Sequence, residues 1–325
     1  MTKKLLTILT SAALLNACGG GGGSSNNDAE VGYLTYTGIR GLSYETASQS
    51  GTTGDKGEYR YYPGETVTFR LGDMILAENI EAKRRLSPLD LEPSLLPLLT
   101  DGSVNNGLTT HVTVERNTIT QSDRLMNWVG FLIALDDDQD TSNGIQITDD
   151  ILSQIGQAQL DEPVDFTKPT LEFGEHSRIH APENRLLWSL CFEEEFDDAC
   201  EDPLQGRKVA TETVTRDYME TELKHISGEI ANATLIEPFA FELPAGDTGI
   251  RTARISIPQW SSGIAELEVV SSNQALLQVQ NWDMVNRDFS FFSAGTPQSE
   301  AEIFANIRLE GDYRWTRKSV RVLIR

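Results

Sequence analysis

The sequence predicts a mainly β protein with a helical middle segment, and three observations carry that expectation. Val67, Phe69 and Leu71 alternate with Thr66, Thr68 and Arg70, the period of two that gives a strand one apolar and one wet face. Leu125, Trp128, Val129, Leu132 and Ile133 recur at helical spacing and fall on one side of a helix. From Asn184 onward the alternation returns in short runs around Phe239–Leu243, Ala253–Ile257, Ala265–Val269 and Val320–Ile324, the pattern of an antiparallel β-sandwich.

The chain opens with basic Lys3 and Lys4, a short apolar run from Leu5 to Leu15, and then Asn16-Ala17-Cys18. A small residue before the cysteine and a leucine three before it read as a lipoprotein signal over 1–17, with lipid carried by Cys18. Residues 18–30 hold the lipidated cysteine and a Gly/Ser tether with a reach of roughly 15 to 20 Å, so the anchor is to the membrane and the folded part stands just off it. Gly19 stands where an aspartate favours inner-membrane retention, and by resemblance to sorted lipoproteins the bacterial outer membrane is the expected location.

Residues 31–80 read as a small β-sandwich-like module. Leu42–Thr46 is a candidate strand, Gly51–Gly57 a turn cluster, and Tyr59, Tyr61 and Tyr62 lead through Pro63-Gly64-Glu65 into the Thr66–Leu71 strand, which reads as a hairpin. The arrangement G-L-x-Y-x-T, then G-T-T-x-x-x-G-x-Y-x-Y, then P-G-x-T-V-T-F-x-L-G resembles a β module of proteobacterial surface lipoproteins and adhesins, akin to the transthyretin-like regulatory domain of carboxypeptidases. Ser87–Leu91 and Leu135–Ile145 resemble segments that accompany it. The resemblance implies a fold, not a reaction.

Residues 81–165 read as mainly helical with an acidic loop. Ser122 or Asp123 is the candidate N-cap of the helix, and Thr148-Asp149-Asp150 opens a second one. Between them Asp136, Asp138 and Asp140 have the D-x-D-x-D spacing of a calcium loop, with Asp149 or Asp150 as a further ligand. The sixth position lacks glycine and the twelfth is Ile147, not glutamate, so the competing reading is a solvated loop whose aspartates cap and turn the backbone. Pro163–Pro169 reads as the linker into a β-sandwich over 166–325.

The 325 residues carry 27 basic against 49 acidic side chains, and cleavage after residue 17 leaves 25 basic ones. Such a surface repels nucleic acid. Cys18 is assigned to lipid, which leaves Cys191 and Cys200 as a candidate disulfide contributing about 2.5 to 3 kcal/mol in the oxidising envelope. The acidic run Glu193–Asp198 between them reads as the exposed tip of the loop they close. His176 and His180 have metal-ligand spacing only on a helix, and Gly174 and Pro182 argue for a loop there.

Trp260, Trp282, Phe289, Phe291, Phe292 and Trp315 read first as core and rim residues, and second as a sugar- or lipid-binding surface. No G-x-S-x-G, H-E-x-x-H, phosphate-loop or dinucleotide fingerprint is present. The reading is a lipid-anchored envelope lipoprotein with a non-enzymatic binding or structural role toward a protein or glycan, calcium being its one candidate cofactor. The alternative is an envelope hydrolase acting on glycan or ester with its site in the C-terminal domain.

Overall fold

The computed structural model describes residues 29–102, 110–158, 160, 162–175, 177–190, 207–294 and 298–325. Cys18, His176, Cys191, Glu193–Asp198 and Cys200 lie outside them, as does the signal segment. The fold is mainly β with a helical middle, as the alternating patterns predict.

The first strands are β1 (Glu30–Leu34), β2 (Ile39–Arg40), β3 (Ser43–Thr46), β4 (Ser50–Thr52), β5 (Glu58–Tyr61), β6 (Thr66–Leu71), β7 (Met74–Glu81) and β8 (Arg85–Leu86). They form one sheet in the order β5-β1-β8 and another in the order β4-β3-β6-β7. The Pro63-Gly64 turn is built, with Gly64 at φ +90° and Glu65 N–H donating to the Tyr62 carbonyl at 3.1 Å. The hairpin expected around it is not. β5 pairs with β1, β6 pairs with β3 and β7, and the turn passes the chain from one sheet to the other. The reason is that β5 and β6 each bury a face against the other: the Tyr59 and Phe69 rings meet edge-on at 5.4 Å, both essentially inaccessible. Alternation marks a buried face without saying whether its neighbour lies beside it or across the core.

The middle holds α1 (Leu96–Gly102), α2 (Thr110–Ile119), α3 (Asp123–Ala134), β9 (Ile145–Gln146), α4 (Asp149–Gln157), α5 (Pro182–Ser189) and α6 (Glu212–Ala233). Ser122 caps α3 by accepting from Leu125 N–H, and Thr148 caps α4 by accepting from Ile151 N–H. β9 lies parallel to β2, so the strand after the acidic loop is tied to the first module.

The last strands are β10 (Leu235–Glu237), β11 (Ala240–Leu243), β12 (Arg251–Ser256), β13 (Ile264–Ser271), β14 (Leu277–Asp283), β15 (Asp288–Ser293), β16 (Ser299–Leu309) and β17 (Trp315–Ile324). They make two sheets, β10-β12-β15-β14 and β11-β17-β16-β13, in a sandwich-like arrangement. Ala253, Ile255, Phe289, Phe291, Ile303, Val320, Val322 and Ile324 fill the space between them.

Two hydrophobic cores result, and they part inside α6: Tyr218, Met219 and Leu223 belong to the first, Ile226 and Ile230 to the second. Packing therefore does not divide the chain at Pro163–Pro169. Phe166 meets Phe131 edge-on at 5.6 Å and the tilted ring of Phe173 at 5.5 Å, and Asn127 Nδ2 donates to the Phe166 and Lys168 carbonyls at 2.9 and 2.7 Å. Phe166, Phe173, Leu186, Leu187, Trp188 and Leu190 belong to the first core, and α6 is a 22-residue helix within the span expected to be all sandwich.

Candidate binding cleft

α6 carries two carboxylates seven residues apart on the side that faces the first module. Glu222 is buried, and its carboxylate accepts the Tyr36 N–H, the Thr37 N–H at 3.1 Å and the Thr37 hydroxyl at 2.8 Å. The turn that aims these donors needs a left-handed start at Thr35 (φ +64°) and a glycine at its end. Gly38 sits at φ +105°, where a Cβ would lie 2.4 Å from the Lys56 backbone. One helix carboxylate thus locks the β1–β2 turn onto α6.

Glu229 accepts from Arg84 Nη2 at 3.3 Å and Arg85 Nε at 3.0 Å. Arg85 also donates from Nη1 to the Thr35 carbonyl at 2.7 Å, and its guanidinium carbon lies 4.8 and 5.4 Å from the ring centres of Tyr33 and Tyr36. Arg84 lies 4.1 Å over the ring of Trp260, and its buried Nε has no hydrogen-bond partner. The Tyr36 ring meets His225 at 4.8 Å.

Of these groups Tyr33, Tyr36, Thr37, Arg84, Arg85, His225 and Glu229 line an open cleft of about 1360 Å³. Arg40, paired with Asp55 at 3.2 Å, and Lys56 form the opposite wall, while Lys224 and His225 come from α6. The acidic loop contributes only its neutral Ser142, Asn143 and Gln146. The lining therefore holds Arg40, Lys56, Arg84, Arg85 and Lys224 against Asp55 and Glu229, in a chain whose formal charge is −22. Arg84, Arg85 and Glu229 also line a neighbouring cleft of about 450 Å³ that reaches Trp260 and Lys83 between the two cores.

The calcium candidates are placed differently. Asp136 is buried; its Oδ1 accepts the Gln146 N–H at 2.7 Å and its Oδ2 has no partner. Burial, helped by the charges of Asp138 and Asp137, pushes its carboxyl up to about 7 against the opposing Gln146 hydrogen bond. Asp138 accepts from Asp140 N–H at 2.9 Å and Asn143 Nδ2 at 2.7 Å, and Asp140 accepts Ser142 N–H at 3.0 Å. Asp149 is exposed at the first turn of α4. Arg207 donates to the Asp136 and Asp137 carbonyls. Among the described residues no group of three or more His, Cys, Asp or Glu side chains is gathered closely enough to hold a metal.

The C-terminal aromatics divide. Phe289, Phe291 and Trp315 are buried, Phe292 is half-buried, and Trp260 and Trp282 are exposed. His111 is buried, while His180 and His225 are exposed. The cleft residues escaped sequence reasoning, although Lys83-Arg84-Arg85, three consecutive cations in an acidic chain, was a visible signal. Among the described residues no helix is long and apolar enough to cross a membrane.

No family model matches the chain, and no curated protein matches it. Among solved structures, an endo-beta-1,4-mannanase from Thermotoga petrophila aligns over 44% of this chain and 34% of its own, at 12% identity and a TM-score of 0.20. A likeness of that score carries no argument about fold or activity.

Proposed function

We propose that the protein is a lipid-anchored lipoprotein of the bacterial outer membrane, attached through Cys18, and that its folded part is a non-enzymatic binding module whose ligand enters the cleft between the first module and α6. One observation carries the binding reading: a strongly acidic chain collects five Lys and Arg side chains around one cleft. Both acids of that lining are engaged with arginines, Asp55 with Arg40 and Glu229 with Arg84 and Arg85. Such a lining suits holding a ligand more than moving a proton. The anchor reading rests on the lipobox and tether of the sequence.

The experiment is metabolic labelling with a clickable palmitate analogue in cells making the full chain or Cys18→Ser, followed by membrane fractionation. Label on the full chain alone, in the outer-membrane fraction, is expected; equal label on the variant overturns the anchor. The competing hydrolase reading draws on Trp260 and Trp282, which the sandwich leaves exposed. Turnover on a glycan or ester panel, lost on a single carboxylate or serine substitution, would replace the binding reading with it.

A further inference from the structure

We propose that the cleft takes an acidic polysaccharide, with Arg84 and Arg85 receiving its carboxylate or phosphate groups and the Tyr36 and Trp260 rings stacking on its sugars. The inference rests on the binding reading above and adds the ligand's chemistry.

Charge comes first. The excess of cations lies in the larger cleft, so an anion is attracted there. The smaller cleft sets Glu30, Glu81, Glu229, Glu310 and Asp312 against four cations and suits an uncharged sugar of the same chain against Trp260. Arg84 and Arg85 present planar donor forks, the geometry that matches carboxylate and phosphate. In the free protein Glu229 holds both forks side by side, at 3.3 and 3.0 Å, as one anion bridging two guanidiniums. A ligand anion arriving there meets donor forks already positioned.

The rings come second. Tyr36 is 41% and Trp260 40% exposed, and each is braced by a neighbour, Tyr36 by His225 at 4.8 Å and Trp260 by the Arg84 guanidinium at 4.1 Å. Rigid, half-exposed aromatic rings beside arginines offer a sugar an apolar platform next to a charge clamp. The two rings lie in the larger and the smaller cleft, which share Arg84, Arg85 and Glu229, so a ligand using both must cross that saddle. The larger cleft alone, at about 1360 Å³ and open, exceeds the usual range for enclosing one small molecule. An extended chain fits this shape. Its charge must also be sparse: duplex nucleic acid carries one charge per roughly 1.7 Å, and the acidic remainder of the protein repels so dense a polyanion.

The test uses the full-length protein in mild detergent, titrated by fluorescence anisotropy with labelled alginate for carboxylates, labelled phosphomannan for phosphates, and neutral mannan. Saturable binding to at least one acidic glycan, weakening about tenfold or more between low and physiological salt, is expected, with mannan bound far more weakly. Which acidic probe wins identifies the anion. Lys56 and Lys224 are exposed, so Lys56→Glu with Lys224→Glu keeps the fold, checked by far-UV circular dichroism, and is expected to cost about tenfold or more in affinity. Trp260→Ala is expected to weaken glycan binding while leaving the salt dependence in place, which separates stacking from simple ion exchange. Absence of binding to both acidic glycans, equal binding to mannan, an unaffected double charge variant, or stronger binding to single-stranded DNA overturns the proposal. Shortening of the bound polysaccharide would overturn the non-enzymatic reading and leave the ligand class standing; binding of neutral mannan alone would do the reverse.

Discussion

Arg314 Nε donates to Glu115 Oε1 at 2.9 Å, and this bond ties the turn between β16 and β17 of the sandwich to α2 in the other core, with neither side chain more than 6% exposed. The same oxygen accepts the Tyr313 hydroxyl at 2.7 Å, and Asp312 Oδ1 accepts from Arg314 Nη1 at 3.3 Å. A buried pair adds little over apolar packing, but a widowed buried charge is expensive. Glu115→Ala leaves the guanidinium without its main partner and is expected to lower stability by about 3 to 5 kcal/mol. Urea denaturation followed by tryptophan fluorescence reads it, and a loss under about 1 kcal/mol would mean that water reaches Arg314 in the native state.

His111 stands in the same network, 5% exposed and with no partner for Nδ1. Burial holds its imidazolium below the ordinary histidine range; Glu115 and Asp312 oppose that and Arg314 assists it. Because the folded value lies below the unfolded one, the neutral ring contributes fully above about pH 6.5, and that contribution is lost as pH falls through the folded value. The His111 share of stability is therefore expected to fall on acidification from neutral pH, against the opposite slope that Asp136 contributes. The melting temperature of His111→Gln is expected to change less unfavourably with acidification than that of the wild type. A variant with the same acid slope would remove His111 as its source.

The elements that could be read from the sequence were those whose signals are local. Ser122 and Thr148 cap their helices through hydrogen bonds to residues three positions on, and Val320, Val322 and Ile324 alternate because one sheet face is buried. What escaped depends on long-range packing. The Pro63-Gly64 turn has the same sequence whether it closes a hairpin or, as here, carries the chain from one sheet to the other. α6 was obscured because Glu222, a charged residue, occupies its buried face to receive the Tyr36 and Thr37 amides, which breaks the apolar period. The cleft assembles Arg40, Arg84 and Lys224 from distant parts of the chain, and no spacing rule connects them.

Calcium as the occupant of the acidic loop makes a prediction that the capping role does not. Asp136, raised to about 7, holds a proton in the folded state that the unfolded chain releases near pH 4. The stability from that proton is full below about pH 4 and is lost as pH rises through about 7. In chelator, Asp136→Asn is expected to remove this loss, so the variant melts above the wild type at pH 8. With calcium at pH 8 the wild type is expected to rise, and Asp138→Ala and Asp136→Asn to remain where chelator leaves them. A wild-type melting curve indifferent to calcium at pH 8 would reduce Asp138 and Asp140 to the turn-forming bonds they make with Asp140 N–H and Ser142 N–H.

The final strand is a structural member of the sandwich, not a tail. β17 lies between β11, parallel to it, and β16, antiparallel over ten paired positions from Ser299↔Ile324 to Arg308↔Trp315. Removing Lys318–Arg325 takes away the fully buried Val320, Val322 and Ile324, each contributing about 1.5 to 3 kcal/mol, and leaves two strand edges without partners inside the sheet. That loss is comparable to the whole stability of an ordinary domain, about 5 to 15 kcal/mol, so the truncated chain is expected to be insoluble or rapidly digested by protease. Ile324→Ala in the intact chain tests the same packing more gently, with an expected cost of about 2 to 5 kcal/mol. A soluble, protease-resistant truncated chain would mean that β16 and β11 close the sheet without β17, contrary to the order β11-β17-β16-β13.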